Sequence, residues 1–437
     1  NQAALFTGRL EVRSLTADSI EFIRTAEPVE GAVDLPPPEA SGFQVPDLPV
    51  AVIIEELSVP SVTFGESVFG LGSEISVAGA MTLDNGNLDA SLDIIRLDGP
   101  GGTLDLDVAY ANDTSTIDLD LALVEPENGV IANLLNIENR PAVTLTLGGN
   151  GPITDLRTEL TLRANGQTAL SGVATINQGA EGTAVVLNLG GPLATLIAEP
   201  YRPFFGAETA LSANALIHSE GGVSITGLRL SGGQLSLEAA AETTEDNFLK
   251  TLALNALIAD PEGGQVTLPV PGSATRVDSA QLAIAFGGET EEDWNATLSM
   301  AGFETSGFAA DTLALTLGGV AANLSDPQRR RVTFNGDGTL SGISGAEEVE
   351  AALGDGIGLG VAGLWNAGEP VQLAEFRIVG DALTAALSGQ FDGFDKVSGE
   401  TLAETRLLRN SGCTTCVIQC TRRCEVDGKD VKGPELE

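Results

Sequence analysis

Thr116-Ile-Asp-Leu-Asp-Leu-Ala-Leu-Val124 decides the fold class of this chain. Successive side chains of a strand face opposite sides, so Ile117, Leu119, Leu121 and Leu123 share one face and Asp118, Asp120 and Ala122 the other. The alternation returns at Leu104, Leu106, Val108 and Tyr110, at Val143, Leu145 and Leu147, and at Leu252 and Leu254. It returns again at Leu282, Ile284 and Phe286, and at Leu313, Leu315 and Leu317. A chain built mostly of half-buried strands is all-β and carries one very long apolar face.

Composition limits what that face can do. Aromatics are 4% of 437 residues and Met numbers 2, so Leu, Val, Ile and Ala line the face, while 53 Gly supply turns. The net charge is −39, and the lysines are Lys250, Lys396, Lys429 and Lys432 alone. Such a balance argues against a phosphate-reading nucleic-acid binder and against docking to an anionic membrane surface. The carboxylates fall on the polar side of strands and in turns, where they form a solvated face and discourage edge pairing with other chains.

No run approaches the roughly 18 apolar residues that span a bilayer. The chain opens Asn1-Gln-Ala-Ala-Leu without an initiator Met, so the N-terminus is expected upstream. Residues 1–412 hold no Cys, which suits an exported protein that avoids stray disulfides.

Four regions follow along the chain. Residues 1–26 hold N-terminal strands, with 5–24 expected as two strands joined by a turn. Residues 27–49 form a Pro-rich linker with three consecutive prolines, Pro36, Pro37 and Pro38. Residues 50–400 are the strand region, and 401–437 a Cys-containing tail. Asp84-Asn-Gly86, Asp98-Gly-Pro-Gly-Gly102, Gly148-Gly-Asn-Gly151, Asn165-Gly166, Gly232-Gly233 and Asn335-Gly-Asp-Gly338 are expected as hairpin turns. Short helices are expected at Glu127–Ile137, Pro192–Phe205 and Ala346–Leu353, as caps on an open sheet or as plain connections.

Catalytic chemistry finds little support. His218, the one histidine, has no ligand set or triad partner in the sequence and is expected to be a surface or strand residue. Gly354-Asp-Gly-Ile-Gly-Leu-Gly360 lacks the Lys-Ser/Thr ending of a phosphate loop and is expected to be a Gly-rich turn. Asn335-Gly-Asp-Gly338 lacks the remaining ligands of a calcium loop, and Arg329-Arg-Arg331 is expected to be a charged loop. No cofactor and no enzymatic activity are expected.

Four segments carry a family resemblance: Gly8-Arg-Leu-Glu-Val-Arg-Ser-Leu-Thr-Ala-Asp-Ser-Ile-Glu-Phe-Ile, Leu97-Asp-Gly-Pro-Gly-Gly-Thr-Leu-Asp-Leu, Gly129-Val-Ile-Ala-Asn-Leu-Leu with Arg140-Pro-Ala-Val-Thr-Leu-Thr-Leu, and Tyr201-Arg-Pro-Phe-Phe-Gly. Over residues 1–400 the chain resembles the TamB family, the inner-membrane-anchored subunits of the translocation and assembly module, within the AsmA-like bridge-like lipid transfer group. The resemblance implies an elongated, curled antiparallel sheet forming an open apolar groove, a half-pipe, with a few short helices. It implies a periplasmic protein in outer-membrane biogenesis, held in the inner membrane by a segment missing from this chain. Phospholipid is the implied cargo. A TamA-like outer-membrane barrel protein is the implied partner, through a region absent here.

An apolar trough suits that cargo. Exposing an acyl chain to water costs about 0.8 kcal/mol per CH₂, so a 16-carbon chain costs roughly 12 kcal/mol. The pattern-based lining is Leu104, Leu106, Val108, Ile117, Leu119, Leu121, Leu123, Val143, Leu145, Leu147, Leu252, Leu254, Leu282, Ile284, Phe286, Leu313, Leu315 and Leu317. By pattern alone, these residues equally fit a closed sandwich or a β-helix, including a β-helical adhesin or passenger-like scaffold.

The tail reads differently. Cys413-Thr-Thr-Cys416-Val-Ile-Gln-Cys420 has metal-ligand spacing, and with Val426-Asp-Gly-Lys-Asp-Val-Lys-Gly-Pro-Glu435 it resembles the iron–sulfur segment of aldehyde ferredoxin oxidoreductases. Cys413, Cys416 and Cys420 match three ligands there. Cys424 does not occupy the place of the fourth, and the tungstopterin-binding parts are absent. The tail is therefore expected to be foreign or disordered, with a fragment of an iron–sulfur oxidoreductase as a remote alternative.

Overall fold

A computed structural model describes residues 9–23, 50–134, 137–270, 273–287, 293–345, 347, 350, 353–391, 396–407 and 416–427. The Pro-rich linker, Cys413 and most of Ala346–Leu353 lie outside the described residues. Strand makes up 67% and helix 8%, so the fold is all-β with a few short helices. The chain divides into two compact units, Asn1–Gly233 and Gln234–Glu437.

In the first unit β1 (Arg9–Val12), β2 (Leu15–Thr16) and β3 (Ile20–Phe22) all pair parallel to β4 (Ala51–Phe64). Residues 5–24, expected as two strands joined by a turn, are in their described part three short strands lying end to end along one long strand. An antiparallel meander then runs through β5 (Ser73–Asp84), β6 (Asn87–Arg96), β7 (Thr103–Ala111), β8 (Thr116–Glu125) and β9 (Val143–Pro152). It continues through β10 (Leu156–Ala164), β11 (Gln167–Gly179), β12 (Gly182–Gly191), β13 (Thr209–His218) and β14 (Val223–Ser231). Each strand pairs with its sequence neighbour, and among the described residues nothing closes the sheet on itself.

The second unit repeats the plan. Its main run is β15 (Leu235–Thr243), β16 (Leu249–Ala259), β19 (Ser279–Phe286), β20 (Asp293–Thr305), β21 (Phe308–Ala322), β22 (Arg331–Ser341) and β24 (Gly356–Asn366). It ends in β25 (Val371–Val379), β26 (Leu383–Phe391), β27 (Lys396–Leu407) and β28 (Cys416–Asp427). A small hairpin, β17 (Val266–Leu268) with β18 (Thr275–Val277), and β23 (Ser344–Gly345) branch from the run.

Turn chemistry explains the punctuation. Asn85-Gly86 and Asn165-Gly166 have positive φ at both residues, the geometry of a tight hairpin turn. Two expected turns are strand instead: Gly148–Gly151 lies within β9 and Asn335–Gly338 within β22. Their glycines serve packing, as shown below. Beyond the turn at Gly354, Gly356–Gly360 likewise begins β24.

The longer connections of the first unit gather on one rim. Segments 65–72, 97–102, 126–142 and 192–208 all follow strands that end there; they hold α1 (Glu66–Phe69), α2 (Val130–Leu134) and α3 (Arg202–Phe205). The opposite rim carries only the short links 85–86, 112–115, 153–155, 180–181 and 219–222. Around α2, Ala132, Ile137, Val143, Ala164, Ala169 and Leu196 form one buried cluster.

Candidate binding face

The register places the sequence-predicted residues on one side of each sheet. Leu104 pairs with Leu123, Leu106 with Leu121 and Val108 with Leu119, while Leu121 and Leu123 pair with Leu147 and Leu145. One transverse row of the first unit runs Leu92, Leu106, Leu121, Leu147, Leu160, Gly172, Leu189, Leu211 and Leu230, through nine strands. In the second unit a row runs Leu237, Ala256, Leu282, Leu298, Leu315, Gly338, Leu359, Ile378 and Ala385. Leu252, Leu254, Ile284, Phe286, Leu313 and Leu317 lie on that same side.

Of the eighteen predicted residues, Val143 is buried and the other seventeen are half-buried. The largest fully buried side chains are valines, Val143, Val266 and Val277. A closed sandwich buries its large aliphatics completely; these leucines touch their neighbours in the row and keep part of their surface open.

Several mid-strand glycines mark close backbone approach. A Cβ at Gly172 would overlap the Asn188 carbonyl, and one at Gly336 the Thr316 carbonyl and the Leu317 side chain. Gly79 and Gly149, also on the apolar face, meet cross-strand carbonyls at 2.6 and 2.7 Å. On the polar face Gly190 and Gly358 have room, the nearest atom lying 3.5 and 3.9 Å away, whereas Gly182 and Gly356 meet cross-strand carbonyls there. At Gly79, Gly149, Gly172 and Gly336 the neighbouring backbone closes in on the apolar side, and glycine is needed there because no side chain fits. Gly172→Ala is expected to lower stability by about 2 kcal/mol and Gly358→Ala to change it by under about 0.5 kcal/mol, by urea unfolding.

The other face is acidic. Asp107 stands opposite Asp120 and Asp93 opposite Asp105, like charges that sheet pairing disfavours unless water screens them. Asn150 donates to Asp118 at 2.8 Å. Among the described residues no group of three His, Cys, Asp or Glu could hold a metal ion. Cys416 and Cys420 lie in β28, and Cys413 lies outside the described residues. His218 ends β13, with Nε2 2.7 Å from Ser224 Oγ.

Three charged residues escaped sequence reasoning. Glu125 falls on the apolar face, paired with Val143, and is 5% exposed. Its carboxylate accepts the backbone N–H groups of Val130, Ile131 and Ala132, hanging α2 over the rim. Gly129 allows this, since a Cβ there would overlap that carboxylate. Arg96, opposite Ile75, also falls on the apolar face and forms a fork with Asp98 at 3.1 and 3.0 Å. Arg330, read as part of a charged loop, is instead buried at 7% exposure. A signal existed for Glu125, which continues the spacing of Ile117 to Leu123, and for Arg96, which continues that of Leu88 to Ile94.

Two carboxylates are held below the ordinary range. The Arg96 hydrogen bond lowers Asp98 against an opposing burial effect, and the Arg330 hydrogen bond lowers Asp246. A depressed folded-state pKa stabilises above the unfolded value, about 3.9, and that stabilisation disappears as pH falls through the folded value. Stability is expected to be flat from about pH 7 to 5 in these groups and to fall below about pH 4; the Asp98→Asn/Asp246→Asn variant should fall less steeply.

No family model, curated protein or solved structure matches this chain. Among the described residues no helix is long and apolar enough to cross a membrane. The functional reading therefore rests on the geometry of the face itself.

Proposed function

We propose that this chain is a non-enzymatic lipid conduit of TamB type, carrying phospholipid acyl chains along its apolar β-face in the periplasm. The observation that carries the reading is the transverse row of leucines on an open sheet, half-buried and uncovered, with carboxylates on the reverse side. An acyl chain needs contiguous apolar surface and no specific hydrogen bonds, which is what a row of Leu across nine strands offers. In this reading the −39 net charge keeps the polar side solvated. The outer-membrane roles of the family, lipid movement and assistance to barrel assembly with a TamA-like partner, are the setting we infer, with inner-membrane attachment through a segment outside this chain.

The rival scaffold reading fits less well. A parallel β-helix coils its strands in parallel rungs, whereas successive main-run strands here are antiparallel and joined as hairpins. Incubating the delipidated protein with phospholipid vesicles, re-isolating it and extracting it for mass spectrometry tests the proposal. Retained phospholipid in excess of a globular control is expected; none retained by folded protein would count against it.

A further inference from the structure

We propose that Arg96 is an ester-carbonyl site at the rim of the apolar face, holding the glycerol ester linkage of a lipid whose chains lie along the leucine rows; it rests on the reading above. Among the described residues of β4 to β14, Arg96 is the one cation that the register puts on the apolar side. Its side chain is 8% exposed, and its Nη1 is buried without a hydrogen-bond partner. A buried donor left unpaired is costly, so an unmet Nη1 marks a place for an acceptor.

The chemistry selects the kind of acceptor. Asp98 occupies the Nε and Nη2 positions of the guanidinium, and its Oδ1 also accepts the Glu74 N–H at 2.7 Å. The pair is neutral as a unit, and Glu125 lies in the same transverse row across Gly102. A second anion would meet net negative charge there. An uncharged carbonyl oxygen satisfies Nη1 without that penalty. Position agrees with chemistry: the row Val62, Ile75, Arg96 and Gly102 is where the apolar face gives way to the rim, as the ester level of a glycerolipid divides chains from headgroup.

Access passes under a strap. α1 follows β4 and α2 follows β8 at this rim, on either side of the strand that carries Arg96, and the Asn133 Nδ2 donates to the Phe69 carbonyl at 3.0 Å. On this proposal that bond opens when a lipid reaches Nη1.

The test compares a diacyl phosphatidylethanolamine with its dialkyl ether analogue, identical in headgroup and chain length and lacking only the ester carbonyls. Each is offered in vesicles to the full chain, and retained lipid is measured. Wild type should retain the diester about tenfold better. Arg96→Lys keeps a cation beside Asp98 and removes the planar fork, so its ratio should fall to about one with the ether lipid still held. Asn133→Ala should load the diester faster in wild type and leave the Arg96→Lys variant unchanged. Equal retention of both lipids by wild type, or an unchanged ratio in Arg96→Lys, overturns the site while leaving the conduit standing. Retention of neither lipid by folded wild type overturns the conduit and the site together.

Discussion

Arg330→Ala is expected to destabilise the second unit by about 3 kcal/mol, among the largest single-residue effects in the chain. The guanidinium is wrapped on several sides. Its Nε donates to the Leu324 carbonyl at 2.7 Å, and Nη2 reaches Asp246 Oδ1 at 2.5 Å and Thr244 Oγ1 at 3.3 Å. Its carbon centre lies 4.2 Å from the centroid of Phe248, whose ring stacks on Trp365 at 5.6 Å and 9°. One side chain thus ties the 244–248 turn, the 323–330 loop and the end of β24. Removing it leaves the Leu324 carbonyl, the Asp246 carboxylate and the Phe248 face without their partner. Arg330→Lys should recover less than half, because a point charge cannot lie flat on Phe248 while forking to Asp246. Chemical unfolding followed by Trp fluorescence reads this directly, since Trp365 belongs to the stack.

The second large effect separates an open face from a closed core. Leu315→Glu sits mid-row in the second unit, between Leu298 and Gly338. In a closed core an unpaired carboxylate would cost several kcal/mol, enough to unfold a marginal domain. On a half-buried, uncovered face the carboxylate reaches water, and the cost should stay near 1 kcal/mol. Lipid retention, by contrast, should drop by tenfold or more, because a charge interrupts the continuous apolar surface an acyl chain follows. A folded Leu315→Glu protein that binds no lipid fits an open conduit; an unfolded one fits a packed interior.

Much of this was legible in the sequence because a strand's side-chain period is two. Once Ile117, Leu119, Leu121 and Leu123 were set on one face, pairing in register carried the pattern to Leu145 and Leu147. Glycine was the weaker guide. Asn85-Gly86 and Asn165-Gly166 are turns, whereas Gly336 and Gly338 lie mid-strand, because glycine serves both positive φ and close backbone approach. Local composition does not say which. The parallel seating of β1 to β3 on β4 was illegible too, being a long-range pairing across a Pro-rich segment. Arg330 was missed for a related reason: its partners, Asp246 and Phe248, are brought near only by the fold.

The central claim is that the apolar face is open to lipid. A photo-crosslinking residue placed in turn at Leu119, Leu145 and Leu315, with Asp118 and Thr316 as polar-face controls, tests it most directly. Leu119 and Leu315 stand one residue from their controls and on the opposite face. Covalent phospholipid adducts at the three leucines and none at the controls is the predicted result by mass spectrometry. Folded protein with clean leucine positions, or adducts equally frequent on both faces, would contradict the account.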